Sequence, residues 1–176
     1  MAGIICRPGA ILSRISVVRI SVVIPVFEDR VALGDRKDEL GEADEVIVVD
    51  ASRTEAVRTS DLPPHAQLLR APEANRAVQQ NLGAEAATGE GILFLHADTK
   101  LSPGAIPAIR AVLSDCGSVG GGFVRFFDSP SRLLHWTCRL AAWRGRRFGW
   151  FLGDQALFVR ARDFKAVDGF RILGLR

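Results

Sequence analysis

The stretch Gly91-Ile92-Leu93-Phe94-Leu95-His96-Ala97-Asp98-Thr99 decides how the rest of the chain is read. Ile92 to Leu95 is apolar on both faces, the mark of a strand buried within a sheet that is covered on each side. The character then changes at once to a histidine and, two residues on, an aspartate. Open α/β sheets bind their ligands at the carboxyl ends of the strands. Asp98 falls just past such an end.

Working outward, Ile20 to Val26 is a β-branched run with the same double-sided apolar character. Glu45 to Asp50 repeats it in Val46-Ile47-Val48-Val49 and ends on a second carboxylate, Asp50. Gln67 to Leu69 reads as a shorter strand, Gly122 to Phe127 as an alternating one, and Ala156 to Arg160 as the last. Helical stretches separate them. Arg76 to Ala87 is rich in Ala and Gln and stops before Gly89. Ser102 followed by Pro103 predicts a helix start, with Ile106, Ile109 and Leu113 at helical spacing behind it. Arg132 to Arg146 places Leu133, Trp136, Leu140 and Trp143 on one side, and Arg162 to Val167 is a short helix. The stretch from Asp29 to Asp44 is polar and makes a poor helix. Strands alternating with helices predict right-handed crossovers and a mostly parallel central sheet flanked by helices, a Rossmann-like α/β fold.

The chain's 176 residues suit one domain. We expect residues 1–18 to be an extension and residues 19–176 to form a single domain. No apolar run approaches the roughly 20 residues of a membrane span, and the mixed N-terminal stretch lacks the core of a signal peptide. Cys6, Cys116 and Cys138 form neither a metal-ligand spacing nor a CxxC pair, which fits a reducing, cytoplasmic setting. The three histidines make no HExxH cluster, and neither a GxSxG elbow nor a P-loop is present. The net charge of +3 is small and local, with Arg139, Arg144, Arg146 and Arg147 crowded together. That argues against a nucleic-acid polymer and for a phosphate-bearing small molecule, an anionic surface or simply a solvated helix face.

Two readings stand open for each polar residue at the strand ends. Asp98 suits a turn cap or a ligand of Mg²⁺ or Mn²⁺, ions that take oxygen donors and leave positions for phosphate. Asp50 suits an N-cap or an acceptor for a base or ribose. Arg76, opening its helix, is a surface arginine or a phosphate contact. Asn81 lies five residues further on, off the i, i+4 face of Arg76.

The order of these pieces resembles family 2 glycosyltransferases. It runs Ile20-Ser21-Val22-Val23-Ile24-Pro25, Val46-Ile47-Val48-Val49-Asp50, Asn75-Arg76-Ala77, Gln80-Asn81-Leu82-Gly83-Ala84, Leu93-Phe94-Leu95-His96-Ala97-Asp98-Thr99, Gly153-Asp154-Gln155 and Gly169-Phe170. The pattern is similar in particular to the radical-SAM/selenodomain-associated transferase 2 subgroup, which carries Leu-His-Ala-Asp-Thr in place of Asp-x-Asp. The resemblance implies a GT-A fold and transfer of a sugar from a nucleoside-diphosphate sugar to an acceptor, metal-assisted and inverting. It implies nucleotide-sugar contacts at Pro25, Phe27, Asp29, Asp50, Arg76, Asn81, His96 and Asp98. Asp98 would hold Mg²⁺ or Mn²⁺, with His96 standing where the first Asp of the common motif would be. Gly153-Asp154-Gln155 would face the acceptor.

Departures from the pattern qualify those implications. Pro25-Val26-Phe27-Glu28-Asp29 replaces Pro-x-x-Asn-Glu, and Asp50-Ala51-Ser52-Arg53-Thr54 replaces Asp-Gly-Ser-x-Asp. The family's Glu-Asp pair, whose Asp is the expected general base, does not follow Gly169-Phe170 before Arg176. We therefore expect a domain incomplete at its C-terminus, with Asp154 the nearest catalytic candidate, or else a catalytically incomplete nucleotide-binding remnant or scaffold. A phosphohydrolase using Asp50 as nucleophile is weaker still, because a second carboxylate is missing. Trp136, Trp143, Phe148, Trp150 and Phe151 among arginines suit a peripheral membrane contact or a lipid-linked acceptor, as well as an ordinary helix packed on the sheet.

Overall fold

The structure, a computed structural model, describes residues 18–29, 40–115, 117–124, 131–149 and 156–172. Most of the expected extension at residues 1–18 lies outside them. Val18 does not, and it is buried in the core.

Six strands form one sheet in the order β3-β2-β1-β4-β6-β5. They are β1 (Ile20–Val26), β2 (Glu45–Asp50), β3 (Ala66–Arg70), β4 (Gly91–Phe94), β5 (Gly120–Gly122) and β6 (Leu157–Arg160). The central pairings β1·β2, β1·β4 and β2·β3 are parallel, whereas β6 runs antiparallel to both β4 and β5. The sheet is thus mostly parallel, with one reversed strand set between β4 and the edge.

The continuous apolar runs explain the middle of the sheet. Val22, Val23 and Ile24 on β1, and Val46 to Val49 on β2, are fully buried although they point to alternate faces. Each such side chain contributes about 1.5–3 kcal/mol by leaving water. Helices α1 (Arg76–Ala86), α2 (Ala105–Ser114) and α4 (Ala161–Ala166) supply the cover, and α3 (Arg132–Phe148) is a further helix. On one face Val22, Ile24, Val48 and Leu93 pack with Ile106, Ile109 and Leu113 of α2. On the other, Val23, Ile47, Val49 and Phe94 pack with Leu82 of α1 and Phe164 of α4. This is a three-layer α/β/α arrangement.

Some elements differ from the sequence expectation for identifiable reasons. The expected strand Gly122–Phe127 is paired instead at Gly120–Gly122, and residues 125–130 lie outside the described ones. A Cβ at Gly120 would sit 2.4 Å from the Phe158 carbonyl, so bare glycine backbone is what lets β5 approach β6. The helix expected to start at Ser102-Pro103 starts at Ala105. Pro103 and Gly104 first complete a turn, closed by the Ala105 N–H on the Ser102 carbonyl at 3.0 Å, with Gly104 left-handed at φ 77°. No helix among the described residues is long and apolar enough to cross a membrane.

Candidate functional site

The carboxyl ends of β1 and β4 open into a cleft of about 270 Å³. Residues following β1 supply Phe27 and Asp29, and Pro25 and Val26 come from the end of the strand itself. His96, Ala97 and Asp98 follow β4, while Arg76 and Gln79 come from the first turn of α1. Six residues singled out in the sequence therefore line one opening: Pro25, Phe27, Asp29, Arg76, His96 and Asp98.

Local structure explains their placement. Asn75 caps α1, its side-chain oxygen accepting from the N–H groups of Ala77 and Val78 at 3.0 and 3.4 Å. That cap aims the positive end of the helix, and Arg76 with it, at the cleft. Beyond β4 a tight turn closes when the Thr99 N–H donates to the His96 carbonyl at 3.1 Å, leaving Asp98 exposed at its tip. Phe27 is about half exposed (52%), a large flat ring facing the opening.

Glu28 secures the β1 side of the rim. Its carboxylate accepts from the N–H groups of Arg53, Thr54 and Glu55 and from the Thr54 hydroxyl at 2.6 Å. In return the Ser52 hydroxyl, 2.7 Å from the Glu28 nitrogen, accepts the Glu28 N–H. Those donors lower the Glu28 carboxyl from 4.5 to about 2, the Thr54 hydroxyl contributing most. Glu28 holds this position in a left-handed conformation, φ 50°, which costs a non-glycine residue energy and marks a constrained segment.

Gln79 secures the space between strands. It is buried, and its amide donates to the carbonyls of Val26 and Val49, both at 2.8 Å, tying the ends of β1 and β2 to α1. Sequence reasoning singled out neither Gln79 nor the Glu28 latch. The available signal was a glutamine on a helix face otherwise turned toward the sheet.

Two expected site residues sit elsewhere. Asp50 ends β2 but does not line the cleft, and its side chain is fully buried. One oxygen accepts from the Ser52 N–H at 2.8 Å, and the other from the Val57 N–H at 2.8 Å and from the Arg70 guanidinium. Arg70 is the register partner of Asp50 on β3, so the neighbouring strand places a cation where a base or ribose was expected to come. Asp50 is thereby closed off from the cleft that Asp98 lines. Asn81 turns from the cleft toward α4, on the same face of the sheet as its own helix. Its amide nitrogen donates to the Phe170 carbonyl at 2.8 Å and its oxygen accepts the Phe170 N–H at 2.9 Å. It lines a separate groove between α1 and α4. Asp154 lies outside the described residues.

Among the described residues no group of three or more His, Cys, Asp or Glu side chains forms a metal cage. Asp98 and Asp29, both exposed, line the cleft together with the half-buried His96. Of these, an exposed carboxylate is the kind of oxygen donor that a Mg²⁺- or Mn²⁺-type ion takes singly or in a pair, the rest of its shell coming from water and a phosphate-bearing ligand.

Residues 21–167 match the family Glycosyl transferase family 2. The fold is similar to that of the mannosyltransferase PcManGT from Pyrobaculum calidifontis, solved with GDP-Man and Mn²⁺, at TM-score 0.63 and 21% identity over 88% of this chain and 48% of that one. It is similar also to M. tuberculosis glucosyl-3-phosphoglycerate synthase (TM-score 0.59, 14% identity, 82% of this chain and 58% of that one). A third is mannosyl-3-phosphoglycerate synthase from Rubrobacter xylanophilus (TM-score 0.57, 18% identity, 84% and 55%). The chain spans about half the length of these solved structures. No curated protein matches it.

Proposed function

The chain belongs to glycosyl transferase family 2, and from that premise we propose that its cleft binds a nucleoside-diphosphate sugar and delivers the sugar to an acceptor hydroxyl, with inversion. One observation carries the reading: Pro25, Phe27, Asp29, Arg76, His96 and Asp98, drawn from three separate parts of the chain, converge at the carboxyl ends of β1 and β4.

Each residue has a role that its chemistry suits. Phe27 and Pro25 give the nucleoside base an apolar wall to stack on. Arg76, at the amino end of α1, meets the diphosphate with a full charge added to the helix dipole. Asp98, with Asp29 or His96 beside it, would hold the divalent ion. Such an ion, when bound, offsets charge on the departing diphosphate. Asp50 acts in the frame, holding the 52–57 loop and Arg70 in place. We assign the acceptor's base to Asp154 on motif order alone. The acceptor is one whose hydroxyl can reach the open side of the cleft, a lipid-linked sugar acceptor among the candidates. The setting we propose is the cytoplasmic one in which nucleoside-diphosphate sugars serve as donors.

A second reading, a nucleotide-binding scaffold without transfer, is favoured by the closure of Asp50 by Arg70. Titrating GDP and UDP with and without Mn²⁺ tests the binding that both readings share. Release or transfer of the sugar from a nucleoside-diphosphate sugar, lost in Asp98→Asn and Asp154→Asn, supports the enzyme. Binding with no turnover supports the scaffold. Absence of diphosphate binding overturns both.

A further inference from the structure

Helix α3 turns its large apolar side chains away from the protein. Leu133, Trp136, Leu140 and Trp143 are 71%, 61%, 45% and 57% exposed. Their spacings of three, four and three residues set them on one stripe of the helix. Among the described residues the buried positions of the opposite face are small, Cys138, Ala142 and Gly145, with Leu134 half-buried beside them. This is the reverse of a helix that covers a sheet, which buries its leucines and tryptophans and exposes its small and charged residues.

The charges are arranged around the same stripe. The 17 residues of α3 include Arg132, Arg139, Arg144, Arg146 and Arg147 and no acidic residue. At 100° per residue, Arg139 and Arg144 fall on the two flanks of the stripe, and Arg147 continues it toward the carboxyl end. There the Arg147 guanidinium lies 5.4 Å from the Phe148 ring centroid, and Phe148 packs edge-on to Trp143 at 5.6 Å.

We infer that α3 is a docking helix for the surface of an anionic lipid bilayer, with the Leu133–Trp143 stripe in the headgroup–acyl boundary and the arginines on lipid phosphates. The charge pattern selects this occupant. A second copy of the chain meeting the stripe symmetrically would bring one set of arginines against another, and the facing helix has no carboxylate to offer them. An anionic bilayer satisfies both halves at once, because Trp and Leu partition into the interface while Arg stems lie along it with their heads at the phosphates. This surface does not depend on the sugar-transfer reading of the cleft.

The test is sedimentation of the full chain with vesicles of phosphatidylcholine alone or phosphatidylcholine mixed with phosphatidylglycerol. Binding to the mixed vesicles, about tenfold or more weaker to the neutral ones and weakened again by high salt, is the expected result. Trp136→Glu/Trp143→Glu should lose it while keeping the wild-type circular dichroism spectrum. Leu133→Gln/Leu140→Gln gives the same reading should the tryptophan pair fail to fold. Equal binding to both vesicle types, no binding to either, or wild-type binding by a folded stripe variant would overturn the inference. So would a concentration-dependent dimer that the stripe variants abolish, or capture of an acidic protein by the stripe in place of vesicles.

Discussion

The Glu28 carboxylate sits against Thr54, 26 residues away, accepting its hydroxyl at 2.6 Å while it also gathers the N–H groups of residues 53 to 55. The contact fastens the segment that carries Phe27 and Asp29 to the loop beyond β2. It is an anion held in a backbone nest, supplied by the chain itself.

This latch has a defined pH signature. Its folded-state value is depressed from 4.5 to about 2, so its contribution to stability is present above pH 4.5 and is lost as the pH falls from there toward 2. Glu28→Gln should flatten that part of the stability profile relative to wild type. At neutral pH it should weaken nucleoside-diphosphate binding, because Phe27 and Asp29 are no longer held. Denaturant midpoints measured from pH 5 to pH 2 check the first outcome. Parallel acid limbs in the two proteins would show that the carboxylate is not latched in solution.

Gln79 offers a different kind of test, since it makes no charged contact. Replacing it with Leu leaves the Val26 and Val49 carbonyls without its amide donor in a buried place. An abandoned buried polar group costs about 1–3 kcal/mol. Val26 retains the Ala51 N–H at 3.0 Å, so the two losses together should come to about 2–4 kcal/mol in a denaturant titration. A loss below about 0.5 kcal/mol, the range of ordinary surface changes, would mean that water replaces the amide.

Asp50 and Asp98 are both aspartates at strand ends, yet their substitutions should separate cleanly. Asp50→Ala leaves the buried Val57 N–H and the half-buried Ser52 N–H without their acceptor and returns the half-exposed Arg70 guanidinium to solvent, a loss of about 2–4 kcal/mol in stability. Asp98→Asn, at an exposed tip, should leave stability within about 0.5 kcal/mol. It should instead remove the Mn²⁺-dependent part of nucleoside-diphosphate binding, which calorimetry measures directly. If Asp98→Asn binds the diphosphate with undiminished Mn²⁺ dependence, the ion is held elsewhere.

The contrast between these two aspartates shows what a linear reading can reach. β1 and β2 were legible to the residue, because a run buried on both faces announces itself locally. The cleft was legible wherever its residues follow a strand directly, as Phe27 and Asp98 do. Asp50 was placed at the end of its strand and Asn81 within its helix, as observed, but their partners, Arg70 and Phe170, lie 20 and 89 residues on. Glu28 and Gln79 were passed over for the same reason, their partners being 25 to 53 residues away. A hydrogen bond between distant side chains and backbone leaves no periodicity in the sequence. β5 was displaced because three successive glycines look like a break until Gly120 is seen lying against the Phe158 backbone of β6.

Asn81 and Gly169 provide a test of coupling rather than of a single loss. Asn81 exchanges two hydrogen bonds with the Phe170 backbone, and Phe170 in turn packs on Phe94 and Phe164 with ring centroids 4.9 and 5.1 Å apart. Asn81→Ala should therefore cost about 1–3 kcal/mol and loosen residues 169–172 first, visible as faster amide exchange there. Gly169→Ala meets two obstacles: φ is 71°, and the new Cβ would lie 2.7 Å from the Asn81 side-chain oxygen. The backbone obstacle alone costs about 1–2 kcal/mol. The clash adds to it only while Asn81 is present. The double variant should thus be more stable than the sum of the single losses predicts, by at least about 0.5 kcal/mol. Urea titration of the four proteins measures this difference. Strict additivity would mean that Asn81 does not stand over Gly169 in solution, and with it the clamp on Phe170 would fall.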